Sequence, residues 1–515
     1  MSGNIPPVLR PEHPVPLAVS SLSDRLGLQL RGSHASIEVT GVTVRSSEIQ
    51  PGDLFVALPG AAAHGANFVR DAVDRGAVAV LTDEAGASLA SEVGVPVLVH
   101  PVPRTILGSV SQMVYGTDSS TPRLFGVTGT NGKTSTSYFL AAILQQLGVV
   151  YGLSSTAERH IGAERVVSRL TTPEASEMHA LVALMAERQV SDAIVEVSAQ
   201  ALTNHRVDGV IFDVVGYTNL SHDHLDDYGT MEAYHQAKLE LFTPQHARTA
   251  VICIDTVWGE RTAADSRIPV TTLSMAGGPA AEWTVTVVSA HVDGTEFRLE
   301  HRDGRALQSR IPVLGAHMAA NAGLAIVMLV EGGFALEAIA SAVGETIDAY
   351  LPGRIEKVSP DQGPRVYVDF GHSPDAFLTT LTAVRAVTPP TGRVIMLFGA
   401  DGDRDATKRH EMGRIASEYS DVVIVTDHHP RFEDPARIRA TLLEGARAAE
   451  HTAELIEVSP PEKAIVHAVS LAGAEDSILW AGPGHQDYRD IRGERTPYSA
   501  RELARAALAA AGWTQ

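Results

Sequence analysis

The run Gly126-Val-Thr-Gly-Thr-Asn-Gly-Lys-Thr134 stands between two contrasting patterns. Before it, Arg123 to Val127 is a short apolar run that predicts a buried strand. After it, Leu140, Ile143, Leu144 and Leu147 recur at helical spacing, and Gly148 is a natural stop. Strand, glycine loop and helix in that order predict a phosphate-binding P-loop. The glycines let backbone N–H groups turn toward phosphate oxygens. Lys133 supplies a mobile cation, and Thr134 a hydroxyl suited to Mg²⁺. One spacing departs from the general P-loop: the position five before Gly132 is Val127, and the glycines are Gly126 and Gly129.

Outward from the loop, the chain reads as three α/β blocks over 515 residues. Residues 1 to about 120 form a small first domain, with strand-like runs at Asp53-Leu-Phe-Val-Ala-Leu and Ala77-Val-Ala-Val-Leu, ending in a loop near Gly116 to Pro122. Residues 121 to 350 carry the P-loop and strand candidates Asp192 to Val197, Phe212 to Tyr217 and Ala250 to Ile254. Residues 351 to 515 follow the break Leu351-Pro352-Gly353, with strand candidates Arg365 to Asp369, Arg393 to Phe398, Asp421 to Thr426 and Ser477 to Trp480. Short apolar runs alternating with helices predict buried parallel strands: a central P-loop sheet and a Rossmann-like C-terminal domain. Ligands are then expected at the carboxyl ends of the strands.

The formal net charge of −20 argues against a nucleic-acid or membrane-surface binder. It leaves room for anionic small ligands held by local donors. The single cysteine, Cys253, excludes an intrachain disulfide and fits a reducing compartment. The start, MSGNIPPVLRPEHP, lacks the apolar core of a signal peptide. The apolar stretch from Met318 to Val330 is broken by Asn321 and is too short to span a bilayer. A cytoplasmic monomer is the expectation.

Several further motifs follow the loop in a fixed order: Leu170-Thr-Thr-Pro173, Glu196-Val-Ser198, Asn204-His-Arg206, Asn219-Leu-Ser-His-Asp-His-Leu-Asp226, Tyr234-His-Gln-Ala-Lys238, Gly353-Arg354, Asp369-Phe-Gly-His-Ser-Pro-Asp375 and Gly402-Asp-Arg-Asp405. With Pro51-Gly-Asp-Leu-Phe-Val-Ala-Leu, His64-Gly and Phe68 in the first block, this series resembles the Mur ligases of peptidoglycan synthesis, in particular members that add the third stem residue. The resemblance covers nearly the whole chain. It implies that a UDP-muramoyl dipeptide carboxylate takes the γ-phosphoryl group of ATP, and that the resulting acyl phosphate is attacked by the amine of a free amino acid.

By the same resemblance, Gly129, Thr130, Asn131, Gly132, Lys133 and Thr134 hold the phosphates, while Asn321, Arg354, Asp369 and His372 contact the nucleotide. Thr134, Glu196, His224 and Lys238 surround Mg²⁺, with Lys238 matching a carbamylated lysine. A free ammonium would repel the metal, whereas a carbamate would ligate it. Lys133, Lys238, Glu196 and His224 form the implied catalytic set. Ser46, Thr171, Thr172, Ser198 and Arg206 match positions that grip the muramoyl dipeptide, and Arg404, His428, His429, Arg431, Gly482 and Gln486 those near the amino acid.

The chain departs from the family where substrates are chosen. Diaminopimelate-adding members carry Asp-Asn-Pro-Arg; here the stretch is His428-His-Pro-Arg431. The family's Gly-Lys-Gly-His-Glu is Gly482-Pro-Gly-His-Gln486, its Ser-Ser-His is Ser198-Ala-Gln200, and its Asp-Ser-Arg is Arg45-Ser-Ser47. Gln486 carries no charge, so the site offers less to a second ammonium. The amine is thereby left open among meso-diaminopimelate, L-lysine, ornithine and a less basic amino acid. A relative acting on another carboxylate and a non-catalytic ATP-binding regulator are the competing readings; the metal set argues against the second.

Overall fold

The computed structural model describes residues 8–32, 36–60, 63–118, 122–451 and 453–514. Met1 to Pro7 of the proline-rich start and part of the expected loop near residue 120 lie outside these. Three principal sheets follow one another along the chain. The first has strand order Gln29–Arg31, Val97–Val99, Ala79–Thr82, Asp53–Val56 and Gly41–Thr43, with only its Gln29–Arg31 edge antiparallel. The helix Pro103–Tyr115 closes this unit and ends on Gly116 in the left-handed conformation, as a glycine C-cap does.

The second sheet centres on Arg123–Thr128, the strand that feeds the phosphate loop. Asp192–Glu196 lies parallel on one side, pairing Glu196 with Val127, and Phe212–Tyr217 on the other, pairing Tyr217 with Thr128. Tyr151–Ser154, Ala247–Cys253 and Val270–Ser274 extend the parallel region. The parallel strands expected from the sequence form the centre of this sheet, and antiparallel strands extend it on both edges to 11 strands among the described residues. One edge carries the hairpin Glu158–Ile161 and Glu164–Val167, and the other the antiparallel run Trp283–His291, Gly294–His301 and Ala306–Ile311. Gly294–His301 and Ala306–Ile311 alternate buried with more exposed residues, unlike the fully buried Asp192–Glu196.

The helix Lys133–Gln146 is buried on nearly every side rather than on one stripe, because Ala316–Glu331 packs over it. The Met318 to Val330 apolar stretch is therefore a core helix. No helix among the described residues is long and apolar enough to cross a membrane.

The third sheet orders Arg365–Asp369, Ser477–Ala481, Val394–Phe398, Val422–Val425 and Glu454–Glu457 in parallel, with Glu356–Lys357 antiparallel at the edge. Two of its helices, Arg409–Tyr419 and Pro435–Arg447, approach so closely that each presents a glycine to the other's backbone. A Cβ on Gly413 would collide with Leu442 O, and one on Gly445 with His410 O. This contact fixes the start of Arg409–Tyr419, where Lys408 enters the interdomain cleft. Gly413→Ala should therefore destabilise the fold by about 1–3 kcal/mol through overpacking. Thermal unfolding measures this; an unchanged midpoint would show that the helices separate freely.

Candidate functional site

The carboxyl ends of the second and third sheets face each other across a cleft of about 730 Å³. The phosphate loop forms one wall. Gly129 has φ +147° and Gly132 φ +87°, and a Cβ on Gly129 would strike Thr218 Oγ1. Thr130 N–H donates to Asn219 O (2.9 Å) and Asn131 N–H to Asn219 Oδ1 (3.0 Å), so those two donors brace the loop. The N–H groups of Gly132, Lys133, Thr134 and Ser135 have no acceptor among the described residues and stand at a helix N-terminus. The anion-facing donors are thus four successive amides of the first helical turn, rather than the whole glycine loop.

Two lysines meet behind this wall. Lys133 Nζ donates to Gly129 O and Thr130 O, both at 2.9 Å, and Lys238 Nζ also donates to Gly129 O at 2.9 Å. Lys238 is 1% exposed and lies 4.5 Å over the Tyr234 ring. Burial, reinforced by the neighbouring Lys133 charge, holds its pKa well below the ordinary lysine value. Lys133 is also lowered by burial, but Glu196 and Asp223 oppose the shift.

Glu196 is fully buried at the end of its strand. It accepts from Thr134 Oγ1 (3.1 Å), Thr156 Oγ1 (2.8 Å) and Thr156 N–H (3.1 Å). Arg354 Nη2 donates to the same Thr134 hydroxyl at 3.0 Å, and its guanidinium lies 4.4 Å over Phe370. Arg354 Nη1 is buried without a partner. A carboxylate, a hydroxyl and an unsatisfied cation form a hard, anion-rich-ligand environment that fits Mg²⁺ and phosphate. His224, at φ +55°, sits with its ring 6.0 Å from Tyr234 and clusters with Asp226 and Asp227.

The dipeptide-side residues gather at the other flank of Glu196. Thr172 Oγ1 donates to Glu196 O (2.7 Å), Ser198 caps the helix Ala199–Thr203, and Thr171 Oγ1 lies 3.1 Å from Thr156 Oγ1. Arg206 is paired with Glu174 at 3.1 Å. Ser46 stays in the first unit, in the turn Ser46–Glu48, and is not part of the cleft wall. Asn321 lines the cleft beside Gly132. Asp369 has both oxygens engaged, by Ile355 N–H at 2.9 Å and Gly371 N–H at 2.7 Å. It thereby braces the turn that carries Arg354, beside any ribose contact it makes.

The C-terminal wall holds Arg404, His428, His429, Arg431, Gly482 and Gln486. His428 and His429 are buried with ring centroids 4.1 Å apart, and burial pushes the His428 pKa down to about 3, so it is a neutral imidazole near pH 7. Arg431 Nη2 lies 3.7 Å from Asp401 Oδ2. Positive φ angles at His224, Ile355, Asp403 and Arg431 place four non-glycine residues of unfavourable backbone geometry around this cleft.

Sequence reasoning missed the contact that spans the cleft. Asp223 Oδ1 accepts from Lys408 Nζ at 3.0 Å, both side chains nearly buried, with His372 Nε2 at 3.9 Å from Asp223 Oδ2. Asn131 Nδ2 adds a bond to Asp375 Oδ2 at 3.1 Å. Both aspartates stand inside motifs already noted, but their partners lie 185 and 244 residues away in the chain. Burial opposes ionisation of Asp223, yet His372 and Lys408 outweigh it and hold its carboxyl well below the ordinary value of 3.8.

The description "Mur ligase middle domain" matches residues 127–329, "Mur ligase, glutamate ligase domain" 353–484, and "Mur ligase family, catalytic domain" 38–115. The chain is 55% identical over 515 residues to UDP-N-acetylmuramyl-tripeptide synthetase of Leifsonia xyli subsp. xyli, covering 100% of both. It is 38% identical to UDP-N-acetylmuramoyl-L-alanyl-D-glutamate–2,6-diaminopimelate ligase of Streptomyces coelicolor, covering 97% of this chain and 98% of that one. A solved structure of a UDP-N-acetylmuramoyl-L-alanyl-D-glutamate–2,6-diaminopimelate ligase superposes with a TM-score of 0.66 at 26% identity, over 98% of this chain and 100% of that one.

The Asp223 shift has a definite sign. A depressed carboxyl stabilises the folded state above its ordinary value of 3.8 and loses that contribution as pH falls toward the folded pKa. Removing the cation leaves a buried carboxylate short of a partner, at a cost of about 3–5 kcal/mol. Lys408→Met should therefore open the cleft at neutral pH, raising the radius of gyration in small-angle scattering. The wild type should open only below about pH 4. A Lys408→Met variant as compact as the wild type would remove this pair as the closing contact.

Proposed function

The chain belongs to the Mur ligase family, and on that premise we propose that it joins a free amino acid to the D-glutamyl carboxylate of UDP-N-acetylmuramoyl-L-alanyl-D-glutamate, at the expense of ATP, in peptidoglycan precursor synthesis. The observation that carries the reading is the sharing of one cleft by a phosphate-shaped helix terminus, the buried Glu196–Thr134–Arg354 group and Arg431. A phosphoryl donor, an acyl acceptor and an amine need to meet in such an arrangement.

When bound, Mg²⁺-ATP supplies the phosphoryl group and the metal charge for its transfer. The unpartnered amides of Gly132 to Ser135 orient the phosphate chain, and Lys133 turns from Gly129 O toward it. Glu196, Thr134 and His224 stand as Mg²⁺ contacts, and Asn321 and His372 as nucleotide contacts. Thr171, Thr172, Ser198 and Arg206 position the dipeptide; Ser46 belongs to the UDP-binding unit. The glutamyl oxygen attacks the γ-phosphorus and ADP leaves. The amine nitrogen, held through its α-carboxylate by Arg431, attacks the acyl carbon. Phosphate departs with the transferred oxygen, and the amine's surplus proton passes to solvent.

Lys238 is assigned as the site of a carbamate. Its lowered pKa leaves a free amine, and an amine adds CO₂ with loss of a proton. The product reverses the local charge and turns a cation beside Lys133 into an anionic ligand. All groups with a role come from one chain, so a monomer suffices; the chemistry suits the cytoplasm, where ATP and nucleotide precursors are available.

Phosphate release should require ATP, Mg²⁺, UDP-muramoyl dipeptide and an amino acid together. The reading fails if calorimetry detects ATP binding but no heat from the UDP-dipeptide. Lys238→Ala should lose phosphate release by at least about 100-fold and recover part of it in acetate, since activity here depends on metal-centred charge stabilisation. Turnover unchanged in Lys238→Ala would eliminate the carbamate.

A further inference from the structure

The amino-acid end of the cleft has a hydrogen-bond polarity that residue types alone do not reveal. Asp490 N–H donates to His429 Nδ1 at 2.9 Å. A backbone amide can only donate, so Nδ1 carries the lone pair and the proton of the neutral ring is on Nε2. His429 Nε2 lies 2.8 Å from Gln486 Oε1 and therefore donates to it. Gln486 turns its oxygen to His429, and its amide nitrogen, which has no partner among the described residues, remains to serve the cleft. The sequence shows only that Gln486 is uncharged; the network turns its amide nitrogen, a donor, to the cleft.

The neighbours extend the same polarity. Tyr488 packs 5.5 Å from His429, and Arg495 lies 4.4 Å over Tyr488 without a carboxylate partner. The two carboxylates nearby are already opposed. Asp401 lies between His428 Nε2 at 3.6 Å and Arg431 Nη2 at 3.7 Å, and Asp490 Oδ1 takes Gly493 N–H at 3.0 Å. An ammonium at Asp401 would sit against the Arg431 cation. A metal at Asp401, His428 and His429 is also disfavoured, because His429 has no free lone pair while it accepts from Asp490.

Resting on the ligase reading, we propose that this site selects an amino acid whose side chain ends in an oxygen acceptor, a hydroxyl or a carboxylate, over one ending in an ammonium. Gln486 and Arg495 are its specificity-determining residues. An oxygen-terminated side chain accepts from the Gln486 amide and the Arg495 guanidinium. An ammonium faces those same two donors, and the acceptors left to it are Asp401, which already faces Arg431, and Asp490, which already takes a backbone N–H, so it gains less there than an oxygen does.

The test compares isosteric pairs as acceptors in the phosphate-release assay: L-homoserine against L-2,4-diaminobutyrate, and L-5-hydroxynorvaline against L-ornithine. L-glutamate, L-lysine and meso-diaminopimelate are run alongside and separate carboxylate from hydroxyl preference. In each pair the oxygen-terminated member should have a kcat/KM at least about 10-fold higher, a discrimination typical of one misplaced buried hydrogen bond. Gln486→Glu keeps the His429 bond but presents a carboxylate oxygen, and should shift that ratio toward the ammonium by about 10-fold or more. Arg495→Ala should shift it in the same direction. Preference for the ammonium members in the wild type, or a ratio unmoved in Gln486→Glu, overturns the inference while leaving the ligase intact. Absence of phosphate release with every amino acid overturns the ligase reading itself, and this inference with it.

Discussion

A single backbone carbonyl, Gly129 O, accepts from two lysine amines inside the protein, and much of the catalytic end follows from that. Two cations cannot share one buried acceptor cheaply. Lys133 has Glu196 and Asp223 to favour its charge, whereas Lys238 has Lys133 against it and is shifted further. The two lysines thus become unequal: burial lowers both, and Lys238 is held well below the ordinary lysine value although Asp223 favours its charge too. The carbonyl can face them because Gly129 adopts φ +147° and its missing side chain leaves room for Thr218. That conformation is held by the strand order, which sets Thr128 beside Tyr217 and Val127 beside Glu196.

The second consequence concerns charge. The chain carries a net −20, and its cleft interleaves cations such as Lys133, Arg354 and Arg431 with aspartates such as Asp223, Asp401 and Asp405. Anionic substrates are therefore drawn by local groups rather than by the field of the whole molecule. One of these aspartates, Asp223, acts mechanically, taking Lys408 from the opposite wall of the cleft. A contact that closes the domains and one that tunes the lysines thereby share one carboxylate.

The parallel core was legible in the sequence because its strands are continuous apolar runs: Phe212–Tyr217 and Arg365–Asp369 appear at the expected residues. The outer strands were not, since their interleaved charges, as in Gly294–His301, resemble surface loop. Their signal was the alternation itself, together with the short turn Val292-Asp293 between paired His291 and Gly294. The phosphate loop was legible because its chemistry is contiguous. Lys408 could not be matched with Asp223, nor Asn131 with Asp375, because no local period links residues that meet only across two sheet ends.

The C-terminal wall of the cleft shows why residue type is an incomplete guide to the polarity of a site. His429 and Gln486 were visible as departures, and by type each can either donate or accept. What decides between these is Asp490 N–H, a backbone group placed by the short strand Tyr488–Ile491. A fixed donor orders a histidine, the histidine orders an amide, and the amide sets the polarity offered to substrate. The phosphate end tolerates no such relay, because its donors are themselves backbone groups on a rigid helix. Within one cleft, then, the donors of the glycine loop are main chain and hold their polarity by themselves, whereas those of the C-terminal wall are side chains whose polarity depends on one main-chain bond.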